Sequence, residues 1–190
     1  MRIVAGAYKG RSIATPPGRG TRPTSDRARE SLFNILAHAP WSPGLQGRRV
    51  LDLFAGSGAL GFEALSRGAV FCLFVENDEA ARGAIRRNME AFQTFGFTRL
   101  HRRSATDLGP RPAGLGAPFD LVFVDPPYAE GLVAPALAGL APGGWITPSA
   151  TIVAETGVGE EAPLPSGFAA IDARIYGAAR ISFLKRAQTL

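Results

Sequence analysis

From residue 48 onward the apolar positions fall into short runs that alternate with segments of helical spacing. Val50-Leu51-Asp52-Leu53-Phe54, Phe71 to Val75 and Phe119 to Val124 are almost uninterrupted apolar stretches, the mark of strands covered on both faces. Between them, Ala59 to Arg67 (closed by Gly68) and Asp78 to Phe95 read as helices, the second with Arg82, Arg86, Arg87 and Glu90 on its expected wet face. Arg99 to Arg103 predicts a weaker third strand. Leu132 to Leu140 predicts a helix that Pro142-Gly143-Gly144 breaks, and Thr151 to Glu155 a fifth strand. Gly109 to Pro118 reads as a surface loop. At the end, Ala169 to Tyr176 and Ala178 to Lys185 are β-rich runs meeting at Gly177, the pattern of an antiparallel hairpin. Alternating strands and helices predict an α/β fold: a mostly parallel sheet with helices on both faces, closed by that hairpin.

The first residues have a different rhythm. Arg2-Ile3-Val4-Ala5 and Arg11-Ser12-Ile13-Ala14 read as a small β-hairpin around Gly6 and Lys9-Gly10. The connector Pro16-Pro17-Gly18-Arg19-Gly20 follows, and helical signals begin at Thr24-Ser25-Asp26, with Leu32, Phe33, Ile35 and Leu36 as an apolar stripe ending at Pro40. The expected organisation is a basic hairpin and linker over 1–24, then one α/β domain over 25–190.

Composition changes this picture in one respect. With 46% hydrophobic and 19% charged residues among 190, the chain has the balance of a soluble globular protein, and no apolar run approaches a membrane span. The N-terminus lacks the apolar stretch of a signal peptide, and the one cysteine, Cys72, lies inside an apolar run, so a cytoplasmic protein is expected. The formal charge of +5 is unevenly placed. Residues 1–30 carry seven basic and two acidic side chains, whereas the rest carries fourteen of each. A basic arm on a neutral body suits a polyanionic partner; a merely solubilising terminus explains the charge equally well.

The chemistry concentrates at two strand ends. Strand 50–54 runs into Ala55-Gly56-Ser57-Gly58-Ala59-Leu60-Gly61, so Gly56, Gly58 and Gly61 satisfy G-x-G-x-x-G between a strand and a helix. Glu76 stands at the tip of the next strand, where an acid can take both ribose hydroxyls of a nucleoside. The pattern fits a nicotinamide dinucleotide as well as S-adenosylmethionine. Asp52 separates the two: beside the loop it would repel a pyrophosphate and favour an ammonium and a sulfonium. Its plainer role is to cap the loop or helix. The adenine is expected near Ser104-Ala105, with Asp107 the nearest acid, and Phe54 and Asn77 complete the expected cofactor shell.

Asp125-Pro126-Pro127-Tyr128 closes the fourth strand and matches the [D/N]-P-P-[Y/F] motif of amino-nitrogen methyltransferases. Two prolines in a row donate no backbone hydrogen bond and stiffen the loop. The Asp125 carboxylate and the Pro126 carbonyl can then both accept from one NH₂ group, and Tyr128 offers a face for an unstacked base. A strand-ending turn capped by Asp is the plainer alternative. Cys72, in mid-strand, is misplaced for a pyrimidine-C5 nucleophile. Lys9 and Lys185 do not suit a lysine-dependent ribose methylation, and His38 and His101 form no metal cluster, so no metal is expected.

Taken with the block Arg2-Ile3-Val4-Ala5-Gly6…Gly10-Arg11, the run Arg22-Pro23-Thr24-Ser25-Asp26-Arg27-Ala28-Arg29-Glu30-Ser31-Leu32-Phe33-Asn34 resembles the signature of the bacterial 16S rRNA (guanine-N2)-methyltransferase family. The loop 51–61 and the motif 123–128 look like that family's cofactor and catalytic motifs, and the resemblance weakens over 105–118 and 156–170. It implies a Rossmann-like class I methyltransferase with a seven-stranded sheet and S-adenosylmethionine as cofactor. It also implies a guanine in a hairpin loop of 16S rRNA as target, on the small ribosomal subunit or an assembly intermediate; a monomer is expected. By the same resemblance Thr24 and Arg29 would border the cofactor's methionine end, and Arg2, Lys9, Arg11 and Arg22 would hold rRNA phosphates. The plainer roles are helix capping for Thr24 and a surface ion pair for Arg29. The rivals are a DNA adenine-N6 or cytosine-N4 methyltransferase, for whose target-recognition region the chain has little room, a nicotinamide oxidoreductase, and a binding module without catalysis.

Overall fold

A computed structural model describes residues 1–17, 26–160 and 163–187. The chain folds as α1 (Asp26–His38), β1 (Arg49–Leu53), α2 (Ala59–Ser66), β2 (Phe71–Val75), α3 (Glu79–Ala91), β3 (Thr98–His101), β4 (Phe119–Val124), α4 (Val133–Ala138), β5 (Ile146–Gly157), β6 (Phe168–Tyr176) and β7 (Ala179–Arg186). The sheet order is β3-β2-β1-β4-β5-β7-β6. The first five of these strands pair in parallel, and β7 enters antiparallel to both β5 and β6. This is the seven-stranded Rossmann-like class I methyltransferase sheet that the resemblance implies.

Strand alternation divides the interior into two layers. Val50, Phe74, Phe123, Val153 and Phe183 face a layer containing Leu32, Phe33 and Leu36 of α1, Phe62 of α2, and Ile85 and Met89 of α3. Leu51, Leu53, Val75, Val124, Ile152 and Leu184 face the other, under Val133 and Leu137 of α4, Trp145 and the loop residues Leu108 and Leu115. The chain proceeds outward from β1 to β3, then returns to the other side of β1 with β4. That reversal opens a crevice beyond the carboxyl ends of β1 and β4, where open α/β sheets bind ligands.

Several boundaries differ from the sequence expectation for physical reasons. Helix α3 stops at Ala91 because Gln93 turns left-handed (φ 57°), and the Thr94 amide bonds back to the Met89 carbonyl at 2.9 Å. Strand β5 is longer than expected because β4 and β7 extend its ladders from both sides. Arg82 leaves the wet face of α3: it is buried, with its guanidinium donating to the Asn77 carbonyl at 2.6 Å. The N-terminal hairpin reduces to a single bridge, Arg2 with Ser12. Ile3 and Ile13 donate across it to the Arg11 and Met1 carbonyls, both at 3.0 Å, but the next amides turn away: Val4 and Ala5 donate to the Glu63 carboxylate of α2 at 2.8 and 3.0 Å. Tyr8 donates to the Ser66 hydroxyl, and Asn88 of α3 both accepts from and donates to the backbone of Ala14.

Candidate active site

Four acids occupy the carboxyl ends of four neighbouring strands: Glu76 after β2, Asp52 in β1, Asp125 after β4 and Glu155 in β5. Alternation sends all four towards the layer of α1 to α3, since Phe74, Val50, Phe123 and Val153, each two residues earlier, face that layer. The glycine loop and the acid–proline turn therefore share one edge of the sheet, on adjacent strands.

The glycines act through close approach. Gly58 (φ 78°) begins α2, and a Cβ there would meet the Phe62 and Phe74 rings at 2.7 and 3.0 Å. A Cβ on Gly61 would stand 2.4 Å from the Phe74 ring and 2.6 Å from the Cys72 sulfur, so glycine lets α2 lie directly on β1 and β2. Asp52 is buried beneath this helix, and its Oδ2 accepts from the Gly61 amide at 3.0 Å. The capping role is thus the one its contact displays. Burial, and then the neighbouring charges of Asp125 and Glu76, push its carboxyl well up. Glu76 spends one oxygen on the Gly56 amide and the other on the Asp78 amide, both at 2.8 Å. Each carboxylate oxygen keeps a second lone-pair direction for a hydroxyl.

Phe54, Glu76, Asn77 and Ala105 come together with Val75 and Arg103 around a shallow, open hollow. Ser104 lies outside that lining, exposed, with its hydroxyl shared with Thr106. Asp107 is exposed beside it. Two of the three non-glycine residues with left-handed backbone among the described residues flank the site, Phe54 (φ 56°) and Ala129 (φ 63°). Such strain persists only where the surroundings over-determine it, and it gathers at ligand sites.

Pro126 is buried, while Pro127 and Tyr128 are exposed. The Tyr128 hydroxyl donates to Glu155 Oε1, which holds the ring over the turn. Burial, and then the charge of Glu155, push the Asp125 carboxyl up to about 8. Glu155 was not among the candidate residues; its one visible signal is an acid in an otherwise apolar-and-threonine strand, Thr151-Ile152-Val153-Ala154-Glu155-Thr156.

The remaining candidates lie on the N-terminal arm. Arg29 is 1% exposed, which removes the surface ion pair as its role. Its guanidinium bonds the Arg2 carbonyl and Asp26, and stands 3.7 Å from the fully buried Glu63. Arg11 reaches the Ala91 carbonyl at the end of α3 and stacks over the Phe92 ring at 4.8 Å. Arg2 donates to the Gly10 carbonyl, and Lys9 is exposed at the turn. Arg22 and Thr24 lie outside the described residues. Asn88 joins this arm to the site, because its amide donates to the Ser57 carbonyl of the glycine loop as well as to Ala14.

A row of carboxylates suits a cofactor carrying an ammonium and a sulfonium and opposes a pyrophosphate. With the sheet order and the proline turn, it defines a class I methyltransferase that uses S-adenosylmethionine. The chain belongs to the family described as Conserved hypothetical protein 95, whose model matches residues 1–185. It is 39% identical to Ribosomal RNA small subunit methyltransferase D of Escherichia coli over 158 residues, 83% of this chain and 75% of that one. With the protein of the same name from Haemophilus influenzae it is 36% identical over 157 residues, 82% and 78% of the two chains. The solved structure of the Escherichia coli protein yhhF superposes with a TM-score of 0.80 at 31% identity, covering 99% of each chain.

Proposed function

We propose that this chain methylates the exocyclic N2 amine of a guanine in a 16S rRNA hairpin loop, acting on the small ribosomal subunit or its assembly intermediate as a cytoplasmic monomer. The observation that carries the reading is the Asp125-Pro126-Pro127-Tyr128 turn beside the glycine loop on adjacent strands, in a chain that shares more than a third of aligned residues with small-subunit rRNA methyltransferases of two bacteria.

Phe54, Gly56, Glu76, Asn77 and Ala105 would hold the cofactor, with Asp52 and Gly58 shaping the loop from below. When bound, S-adenosylmethionine supplies a methyl group on a cationic sulfonium, an electrophile strong enough to need no powerful base. Asp125 and the Pro126 carbonyl accept the two amine protons, draw the nitrogen lone pair out of conjugation and aim it. The surplus proton of the methylated nitrogen would leave towards Asp125. Tyr128 supplies the stacking face for the extruded base. Residues 1–24 serve as the RNA-contacting extension, with Arg2, Lys9, Arg11 and Arg22 on phosphates; Thr24 and Arg29 position this extension against the cofactor's methionine end.

The test is methyl transfer to small subunits lacking the modification, followed by mass mapping of the product nucleotide. N2-methylguanosine is expected, and Asp125→Ala should reduce its formation by about 10² or more. N6-methyladenosine, or transfer to duplex DNA only, overturns the assignment of base and substrate.

A further inference from the structure

One acid of the site has no part in the mechanism above. Parallel pairing sets Val124 opposite Ala154, so the residues that follow, Asp125 just past β4 and Glu155 still within β5, stand side by side. Both turn to the same face, and the like charge of Glu155 is felt at Asp125. Glu155 is only 7% exposed, and the Tyr128 hydroxyl ties it to the proline turn itself. A carboxylate accepts hydrogen bonds through about four lone-pair positions.

The amino-bearing bases differ in what lies next to the amine. In adenine and cytosine the neighbouring ring nitrogen is an acceptor, whose lone pair would face a second carboxylate. In guanine the amine lies between N3, an acceptor, and N1–H, a donor, and only the N1–H side gives two donors in a row. Two adjacent carboxylates complement a donor–donor edge and repel a donor–acceptor one.

We propose that Glu155 is a specificity-determining residue: its carboxylate accepts the ring N1–H of the guanine whose N2 amine Asp125 holds, and Tyr128 fixes the spacing of the two acids. This rests on the guanine reading above and deepens it by naming the group that enforces it. The choice of base then lies in β5, one strand beyond the catalytic motif.

The experiment compares reconstituted small subunits whose ligated rRNA carries either guanine or 2-aminopurine at the target position. 2-Aminopurine keeps the N2 amine but presents a bare N1 acceptor. The wild-type protein should prefer guanine by about a hundredfold or more in kcat/KM, as a site built around a donor rejects the analogue without it. Glu155→Gln is nearly isosteric, and its amide can donate to the bare N1. It should lower the guanine rate, raise the 2-aminopurine rate and narrow the preference by about tenfold or more. If Glu155 only braces Tyr128, the variant slows both substrates alike and the ratio stays fixed, which overturns the proposal. Should the variant fail to fold, equal wild-type rates on the two bases overturn it by themselves. An adenine product from the wild type instead brings down the guanine reading, and a guanine product with an unchanged ratio brings down only the role of Glu155.

Discussion

Asp125 carries the sharpest consequences at the scale of single residues. Its carboxyl is raised to about 8 by burial and by Glu155, with Asp52 a further acid nearby. The protonated form is therefore favoured in the folded protein, and the stability it brings is full below the ordinary carboxyl range and lost as pH rises through about 8. Wild-type protein should lose melting temperature between about pH 6 and about pH 9, and Asp125→Asn should lose less, as calorimetry at both values would show. Binding a cation reverses the preference, since a sulfonium beside the acid favours its charged form. Affinity for S-adenosylmethionine should thus climb with pH across the same window, while the neutral thioether S-adenosylhomocysteine shows a smaller climb. Titration calorimetry in buffers of different ionisation enthalpy would reveal the released proton. The residue scale also shows how far chemistry was readable in the chain. Asp52, Glu76 and Asp125 were recognisable by their spacing from glycines and prolines, but Glu155 was not, because only pairing with β4 brings it to Asp125.

Among the elements, α2 is the one on which site and arm both depend. Its first turn lies on the sheet through Gly58 and Gly61, while Glu63 in its middle and Ser66 at its end serve the arm. Gly61→Ala forces a methyl into the Phe74 ring and the Cys72 sulfur, and overpacking of this kind costs about 1–3 kcal/mol. Denaturant titration should show that loss together with weaker cofactor binding, as the glycine loop moves with the helix. Gly6→Ala is aimed at the arm alone: its methyl would overlap the Ser66 carbonyl, a backbone atom that cannot yield. The arm should come away and become a site of limited proteolysis, with the melting of the sheet little altered. Glu63→Ala is harsher, because it takes the acceptor from Arg67 and from the Val4 and Ala5 amides and a charge from beside buried Arg29, and breaking a buried pair costs about 3–5 kcal/mol. None of these dependencies was visible in the sequence, where Glu63 is one acid within Ala59 to Arg67. A side chain's long-range partner leaves no local periodicity behind.

For the molecule as a whole, charge and fold divide the work. An acidic sheet edge suits a cationic cofactor, while the excess positive charge lies in the first 30 residues, whose Val4, Ala5 and Ala14 amides bond to α2 and α3. Lys9→Ala should leave cofactor binding intact and reduce the slope of log affinity for rRNA against log salt by about 1, since each phosphate contact releases counterion. A slope unchanged by that variant would place the polyanion elsewhere. What the amino-acid sequence determined by itself was local or periodic: strands and helices from apolar spacing, the closing hairpin at Gly177, the glycine bend and the stiff acid–proline turn. These follow from backbone sterics and from the two repeat lengths of secondary structure, which neighbouring residues set without reference to the rest of the chain. The tertiary structure alone decided which acids stand in one row, that Asp52 caps a helix, that Arg29 and Arg82 are buried and that Asn88 links arm to loop. Each of these depends on strand order and packing between segments tens of residues apart, where the free energy of desolvating a charge is set by what the fold brings against it.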